Sequence, residues 1–201
     1  MIPAVFLDKD GTLVVDEPPN RDTSAVRFYP DAFEALRLLQ DAGFALIVVT
    51  NQGGVAHGLL TEADVRHMHA YLLRRLAEAD VALHGFFYCP HHPDGVVEPY
   101  AIECLCRKPH PGLLMQASCE LRIDMSRSWM VGDILHDVEA GRWAGCRTIL
   151  MNNGHETEWQ LTESRWPDYI AHTLLEAAHL IILSGRSRPA ASLSERQEEE
   201  R

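Results

Sequence analysis

The chain has 201 residues, of which 46% are hydrophobic, and its 18 basic and 29 acidic side chains give a formal net charge of −11. This length and composition predict one sizeable core, and we expect a single domain over residues 1–183. The acidic balance argues against nucleic-acid binding, which needs clustered cations. There is no charged leader and no apolar run near the ~18 residues of a membrane span, so we expect a cytoplasmic monomer with no membrane contact.

The first predicted strand, Val5–Leu7, ends at two aspartates, Asp8 and Asp10. Residues i and i+2 of a strand share a face, so both carboxylates would project together where the strand stops. They repel one another unless a cation lies between them or one of them holds a proton. A solvated turn or a calcium loop can carry the same pattern, but the position where a calcium loop needs glutamate is Pro19. The stretch is therefore predicted to be part of a reactive site and not a solvated turn or a calcium loop.

Helices and strands alternate along the rest of the chain. Continuous apolar runs predict strands at 44–49, 85–88, 128–131, 146–150 and 169–171. Helical spacing and capping residues predict helices from Asp31 to Gly43, Thr61 to about Ala79, Pro111 to Leu121, Asp137 to Ala144 and Leu174 to Leu183. This alternation indicates an α/β fold with a doubly wound parallel sheet. The polar, charged stretch 184–201 is predicted to be a disordered tail.

Polar residues fall at several predicted strand ends, where ligands of parallel sheets bind. Asp8, Asp10 and Asp133 offer hard oxygen ligands that suit Mg²⁺ better than zinc. Thr50 offers a hydroxyl that can hold phosphoryl oxygens, and Lys108 precedes a helix start, where a cation can neutralise an anionic substrate. A strand-end threonine is often only a cap, and a lone lysine is often only a surface charge. Their joint placement predicts a site for phosphate chemistry.

Four segments, in this order, resemble the four motifs of the haloacid dehalogenase-like phosphatases. They are Asp8-Lys9-Asp10-Gly11-Thr12-Leu13, Thr50-Asn51-Gln52, Lys108 and Gly132-Asp133-Ile134-Leu135-His136-Asp137. Within that superfamily, Cys89-Pro90-His91-His92-Pro93 and the stretch from Cys104 to Gly112 resemble the D-glycero-D-manno-heptose 1,7-bisphosphate phosphatases, with the histidinol-phosphate phosphatases as nearest relatives. The resemblance implies a Rossmann-like fold. No long insertion follows the first or second motif, so we expect no large cap domain.

The resemblance implies Mg²⁺-dependent hydrolysis of a phosphomonoester through an aspartyl-phosphate. It makes Asp8 the nucleophile and Asp10 the general acid and base. The other residues for which it implies a role are Thr50 and Lys108, which stabilise the transferred phosphoryl group; Asp8, Asp133 and the Asp10 carbonyl, which bind Mg²⁺; Asp137, which orients Lys108 or a metal-bound water; and Asp16, Asn51, Gln52, Gly53 and Arg107, which bind the sugar phosphate.

A second metal site is predicted in an irregular segment over residues 89–106, which we call the zinc loop. Cys89 and His91, then twelve residues, then Cys104 and Cys106 supply three thiolates and one imidazole, a set that suits structural zinc. Free thiols are the alternative, and His92 could replace His91, although the family pattern favours His91. The loop has no core of its own, so the metal would stand in for one. Four further residues are predicted to lie in the protein core: Cys119, Trp129, Trp143 and Cys146.

Some substrate-facing positions depart from the heptose-bisphosphate pattern. Ile134 stands where the family often has a basic residue, and Gly53 and His57 stand where relatives commonly have Ser and Arg. Histidinol phosphate, another sugar phosphate or a nucleotide-sugar precursor therefore remain open beside a heptose bisphosphate of lipopolysaccharide synthesis. A catalytically inactive phosphate-binding module would be expected to lose Asp8 or Asp10, and the acidic balance disfavours a polynucleotide 3′-phosphatase.

Overall fold

The computed structural model of the protein describes residues 1–17 and 21–186. The strands are β1 (Ala4–Leu7), β2 (Ala45–Asn51), β3 (Leu83–Cys89), β4 (Trp129–Gly132), β5 (Arg147–Met151) and β6 (Tyr169–Ala171). The helices are α1 (Ala32–Asp41), α2 (Glu62–Ala77), α3 (Gly112–Leu121), α4 (Leu135–Trp143) and α5 (Leu174–Arg186). Over these residues no helix is long and apolar enough to cross a membrane.

Every strand is parallel to its neighbours, in the order β3-β2-β1-β4-β5-β6. Val5 of β1 pairs with Leu46 of β2 on one side and with Trp129 of β4 on the other. The order of winding reverses between β1 and β4, and such a switch point is where ligands bind in open α/β sheets. The predicted doubly wound α/β fold is confirmed, and Asp8 and Asp133 follow the two strands at the switch.

Helices cover both faces of the sheet. Val5 and Leu7 pack with α1, α2 and α5 on one face, whereas Ala4 and Phe6 pack with α3 and α4 on the other. A strand buried on both faces needs an apolar side chain at every position. Each fully buried side chain of this size contributes about 1.5–3 kcal/mol. The strand that presents Asp8 is therefore firmly held.

The helix ends agree with the sequence in part. Thr61 caps α2 as predicted, and its hydroxyl accepts a hydrogen bond from the Asp64 N–H (3.1 Å). Asp31 stands at the start of α1, but its side chain does not cap that helix. Its carboxylate accepts instead from the N–H of Leu175 (2.7 Å), which ties the start of α1 to the start of α5. Helix α5 ends three residues beyond its predicted end, at Arg186, and the rest of the predicted tail lies outside the described residues.

Two predictions about the core were wrong. Cys146 and Trp129 are buried as expected, but Cys119 is exposed and the Trp143 side chain is 65% exposed. Both exceptions lie near the C-terminal ends of helices, on the face turned away from the sheet. Burial was predicted there from the hydrophobic residue type. The exposure of each side chain depends instead on which face of the helix it occupies. In the part of the chain that the structure describes, no large cap domain covers the sheet, as expected.

Candidate active site

Four of the predicted site residues meet where β1, β2 and β4 end. The side chains of Asp8, Thr50, Lys108 and Asp133 are all buried there. The N–H of Asp8 donates to the carbonyl of Val131 (2.9 Å), so the first residue after β1 is fixed to β4. Buried polar groups need partners, because an unpaired one costs about 1–3 kcal/mol.

Lys108 is the centre of the charged contacts. Its ammonium lies 2.5 Å from Asp8 Oδ1 and 2.6 Å from Asp137 Oδ1, and it donates to the Val49 carbonyl (3.0 Å). Burial works against the charged form of this lysine, but the two carboxylates raise its pKa above the ordinary value. Asp137 thus lies where it can orient Lys108, and the cation is available to an anion bound at Asp8.

Asn51 holds the backbone of Lys108. Its Oδ1 accepts from the Lys108 N–H (3.0 Å), and its Nδ2 donates to the Lys108 carbonyl (3.0 Å). The sequence suggested that this amide contacts substrate, whereas in the structure both ends of it bind another part of the protein. Asn51 therefore helps to place Lys108 across a separation of 57 residues.

The carboxylates of Asp8, Asp133 and Asp137 form a group whose oxygens lie within 4.8 Å of one another. Burial is the main cause that raises the pKa of Asp8 to about 7 and that of Asp133 to about 9. Lys108 supplies one positive charge to three acids, so a further cation would relieve the cost of ionising them. An all-oxygen donor set of this kind fits a hard divalent ion.

The Asp10 side chain lies outside that group. One carboxylate oxygen, Oδ1, is paired with the Lys9 ammonium, and the other, Oδ2, accepts from Nε2 of Gln52 (3.1 Å). The side chain is one-third exposed and lines a cavity of about 290 Å³ beside the site. The predicted residues Asp16, Asn51, Gln52 and Gly53 line the same cavity. Its wall also contains aliphatic side chains, among them Val14, Leu60, Val65 and Met68.

At two positions of the site a carboxylate lies so close to the backbone that only glycine fits. Gly11 has φ +79°, and a Cβ there would lie 1.9 Å from Asp133 Oδ2. A Cβ at Gly132 would lie 2.2 Å from Cγ of Asp137. Any larger residue at either position would displace a carboxylate of the acidic group.

The structure also brings residues to the site that the sequence analysis missed. Nδ1 of His155 lies 2.6 Å from Asp133 Oδ2, and Nδ2 of Asn153 donates to the Gly11 carbonyl (2.5 Å). Both lie in the loop that follows β5, the strand that neighbours β4 in the sheet. The rule that ligands bind beyond strand ends would have indicated this loop, but no motif distinguished it.

The zinc-loop residues gather as predicted. The donor atoms of Cys89, His91, Cys104 and Cys106 all lie within 4.8 Å of one another. The three sulfurs are separated by 3.2 to 3.5 Å, and Nδ1 of His91 lies 3.4 Å from Sγ of Cys106. Such spacings suit four ligands around one ion at ~2.0–2.3 Å. Burial raises the pKa of the Cys89 thiol and so disfavours the thiolate. A bound cation would offset this effect, because metal ions bind the thiolate form.

His92 lies outside this group and beside Gly53, which lines the cavity. Its ring lies 4.7 Å from that of His57. The His92 ring and the Arg107 guanidinium both lie next to Gly53. The Arg107 guanidinium donates to the His91 carbonyl (3.2 Å), which joins the zinc loop to this surface. The Arg107 guanidinium therefore supplies positive charge on the side of Gly53, whereas burial and the neighbouring Arg107 lower the pKa of His92.

Comparisons with known proteins agree with this geometry. The HAD-hydrolase-like family model matches residues 105–177. D-glycero-beta-D-manno-heptose-1,7-bisphosphate 7-phosphatase of Escherichia coli (strain K12) is 46% identical over 154 residues, which are 76% of this chain and 81% of that protein. The protein of the same name from Photorhabdus laumondii is 39% identical over 191 residues, 94% of this chain and 95% of that one.

A solved structure shares the fold. It is the D,D-heptose 1,7-bisphosphate phosphatase from B. bronchiseptica complexed with magnesium and phosphate. The superposition has a TM-score of 0.75 at 26% sequence identity and covers 91% of this chain and 99% of that chain.

Proposed function

The chain belongs to the HAD-like family of the D-glycero-beta-D-manno-heptose-1,7-bisphosphate 7-phosphatases, and we propose that it removes one phosphate, the one on C7, from that sugar bisphosphate. The observation that carries the reaction type is the buried Asp8 carboxylate, which lies against the Lys108 ammonium at the switch point of the sheet. The names of the relatives favour a heptose over histidinol phosphate. The presence of both Asp8 and Asp10 argues against an inactive phosphate-binding module.

In the first chemical step Asp8 is the nucleophile. One of its oxygens forms a bond to phosphorus while the phosphorus–sugar oxygen bond breaks, and an aspartyl-phosphate results. Asp10, in its acid form, gives its proton to the departing sugar oxygen. Lys108 and the Thr50 hydroxyl stabilise the negative charge on the transferred phosphoryl group.

The second step returns the enzyme to its starting state. The Asp10 carboxylate takes a proton from a water molecule, whose oxygen attacks phosphorus. The bond between phosphorus and Asp8 breaks, so inorganic phosphate leaves and the Asp8 carboxylate is restored. Asp10 ends this step protonated and ready for the next substrate.

We assign Mg²⁺ to the acidic group, with Asp8, Asp133 and the Asp10 carbonyl as its ligands. When bound, the ion supplies positive charge that reduces repulsion between the nucleophile and the phosphate. The B. bronchiseptica relative was solved with magnesium and phosphate. We assign zinc to the cysteine and histidine group, where it would stiffen the chain immediately before Arg107 and Lys108.

The second phosphate of the substrate is assigned to the side of Gly53. Arg107 and His92 lie beside Gly53, and the His57 ring lies next to that of His92, whereas the other residues that line the cavity include Asp16, Asp22 and Asp64. An anionic group is favoured beside the guanidinium and disfavoured among carboxylates, while neutral sugar hydroxyls can donate to them.

A panel of phosphate esters assayed with Mg²⁺ tests this function. We expect kcat/KM for the heptose 1,7-bisphosphate to exceed that for histidinol phosphate by about 10²-fold or more, since a site built for one set of polar groups rejects a substrate lacking them. The two anomers, a heptose 7-phosphate and p-nitrophenyl phosphate complete the panel. Equal or better turnover of histidinol phosphate would overturn the substrate assignment, and no hydrolysis of any ester would overturn the reaction type.

Replacing Arg107 by glutamine tests the second-phosphate assignment. A hydrogen bond to a charged group contributes about 1.5–3 kcal/mol, so KM for the bisphosphate should rise roughly 10–100-fold with a much smaller change in kcat. KM for p-nitrophenyl phosphate, which lacks the second phosphate, should change little. The control is Arg127→Gln, because Arg127 is exposed at the amino end of β4, opposite the site. An equal rise in KM for both esters would contradict the assignment.

A further inference from the structure

We propose that Gln52 is a positioning residue that holds the carboxyl group of Asp10 toward the leaving oxygen of the substrate. The inference rests on the proposed function, in which Asp10 donates and then accepts the transferred proton. It differs from the role that the motif suggested for Gln52, which was direct contact with the sugar phosphate.

The first support is the geometry of the amide. Nε2 of Gln52 lies 3.1 Å from Asp10 Oδ2 and 3.0 Å from Thr50 Oγ1. A side-chain amide nitrogen carries two hydrogens, so it can donate to both oxygens at once. Gln52 therefore links the proton-transfer group to the hydroxyl assigned to the phosphoryl group.

The second support is that Gln52 is itself fixed. Its N–H donates to the carbonyl of Cys89 (2.7 Å), the last residue of β3 and one of the zinc-loop cysteines. Its neighbour Asn51 is fixed by its two hydrogen bonds to Lys108. The backbone of Gln52 is thus held by β3 and its side-chain amide by Thr50, so the amide can orient Asp10.

The carboxyl group of Asp10 must be held in one orientation to transfer a proton to the leaving oxygen. It lies in the turn after β1, and its side chain is one-third exposed, whereas that of Asp8 is one-tenth exposed. The ammonium of Lys9, whose side chain is buried, pairs with Oδ1. Gln52 binds Oδ2, and together the two contacts fix the carboxyl plane. Proton transfer requires heavy atoms within ~2.6–3.2 Å, so a rotated carboxyl group could not serve the leaving oxygen.

The chemistry of the leaving group separates this role from substrate binding. A sugar oxygen is a poor leaving group and must receive the Asp10 proton as its bond to phosphorus breaks. The 2,4-dinitrophenolate ion is stable without a proton and departs as the anion. Losing the orientation of Asp10 should therefore slow formation of the aspartyl-phosphate from the sugar ester and leave its formation from 2,4-dinitrophenyl phosphate nearly unchanged.

The test is a rapid-quench measurement of aspartyl-phosphate in the Mg²⁺-loaded full chain. For Gln52→Met we expect the rate of its formation to fall about 10–100-fold with the heptose bisphosphate, within the range that general acid catalysis contributes. With 2,4-dinitrophenyl phosphate the expected fall is under about 3-fold. Gln52→Asn, which keeps an amide that is too short to reach, should behave in the same way. Gln116→Met, on the exposed face of α3, is the matched control.

A double-mutant cycle with Asp10→Asn completes the test. If Gln52 acts through Asp10, Gln52→Met should change the sugar-ester rate less than about 2-fold once Asp10 is replaced, since the two effects are coupled. Equal rate losses with both esters, or independent losses in the cycle, would overturn the inference and assign Gln52 to binding or to structure. Absence of aspartyl-phosphate from either ester in the unaltered enzyme would overturn the proposed function itself. Melting temperatures identify any variant that fails to fold.

Discussion

Replacing Asp8 by asparagine is expected to lower phosphatase activity by about 10⁴-fold or more, the size of loss seen when an enzyme is deprived of its nucleophile. An amide oxygen is a far weaker nucleophile than a carboxylate. It also leaves the acidic group with one charge fewer to hold the divalent ion. Steady-state assays with Mg²⁺ measure the loss, and acid-quenched samples should contain no aspartyl-phosphate.

The same variant should remain folded. Burial raises the pKa of Asp8 to about 7 in the folded chain, so ionising this group in the metal-free protein costs stability as the pH rises from its unfolded pKa through 7. Asparagine carries no such cost, and Lys108 keeps its contact with Asp137. We expect a melting temperature equal to or above that of the unaltered metal-free protein at pH 8. Asp41→Asn, exposed at the end of α1, is the control, and wild-type turnover by Asp8→Asn would place the nucleophile elsewhere.

Removing the metal from the zinc loop is expected to have the second largest effect. Arg107 and Lys108 follow Cys106 directly, and Lys108 lies 2.5 Å from Asp8. Without the zinc that we assign to this loop, the ammonium would no longer be held at Asp8, and a displacement of ~1 Å can cost about 10²-fold in rate. The melting temperature should fall as well, because metal binding contributes to folding free energy and the three cysteines lie in or against the protein core.

Cys106→Ser and selective chelation both test this expectation. Zinc content, kcat/KM with saturating Mg²⁺ and melting temperature are measured together, and added zinc should restore the chelated protein but not the variant. Cys119→Ser is the matched control, because Cys119 is exposed and lies outside the metal-binding group. A demonstrably zinc-free protein with unchanged activity and unchanged melting temperature would show that the group is not structural.

Local sequence patterns were enough to predict the α/β class and most of the residues that meet at the site. The alternation of apolar runs and helical stripes is a local property, so it predicts which segments form strands and helices. A parallel sheet then requires that polar residues after its strands share one edge. Asp8, Thr50 and Asp133 could be placed together on these grounds, and the spacing of the cysteines indicated the zinc loop before any contact was known.

The contacts among these residues could not be predicted from local patterns. The hydrogen bonds from Asn51 to Lys108 join residues 57 positions apart, and the pair of Lys108 and Asp8 joins residues 100 positions apart. These contacts depend on β1 lying between β2 and β4, which no local pattern encodes. His155 reaches Asp133 because β5 lies next to β4, and helix packing left Trp143 and Cys119 exposed. Periodicity reports which face of an element is apolar, whereas the partner of each polar group is set by the order in which the strands assemble.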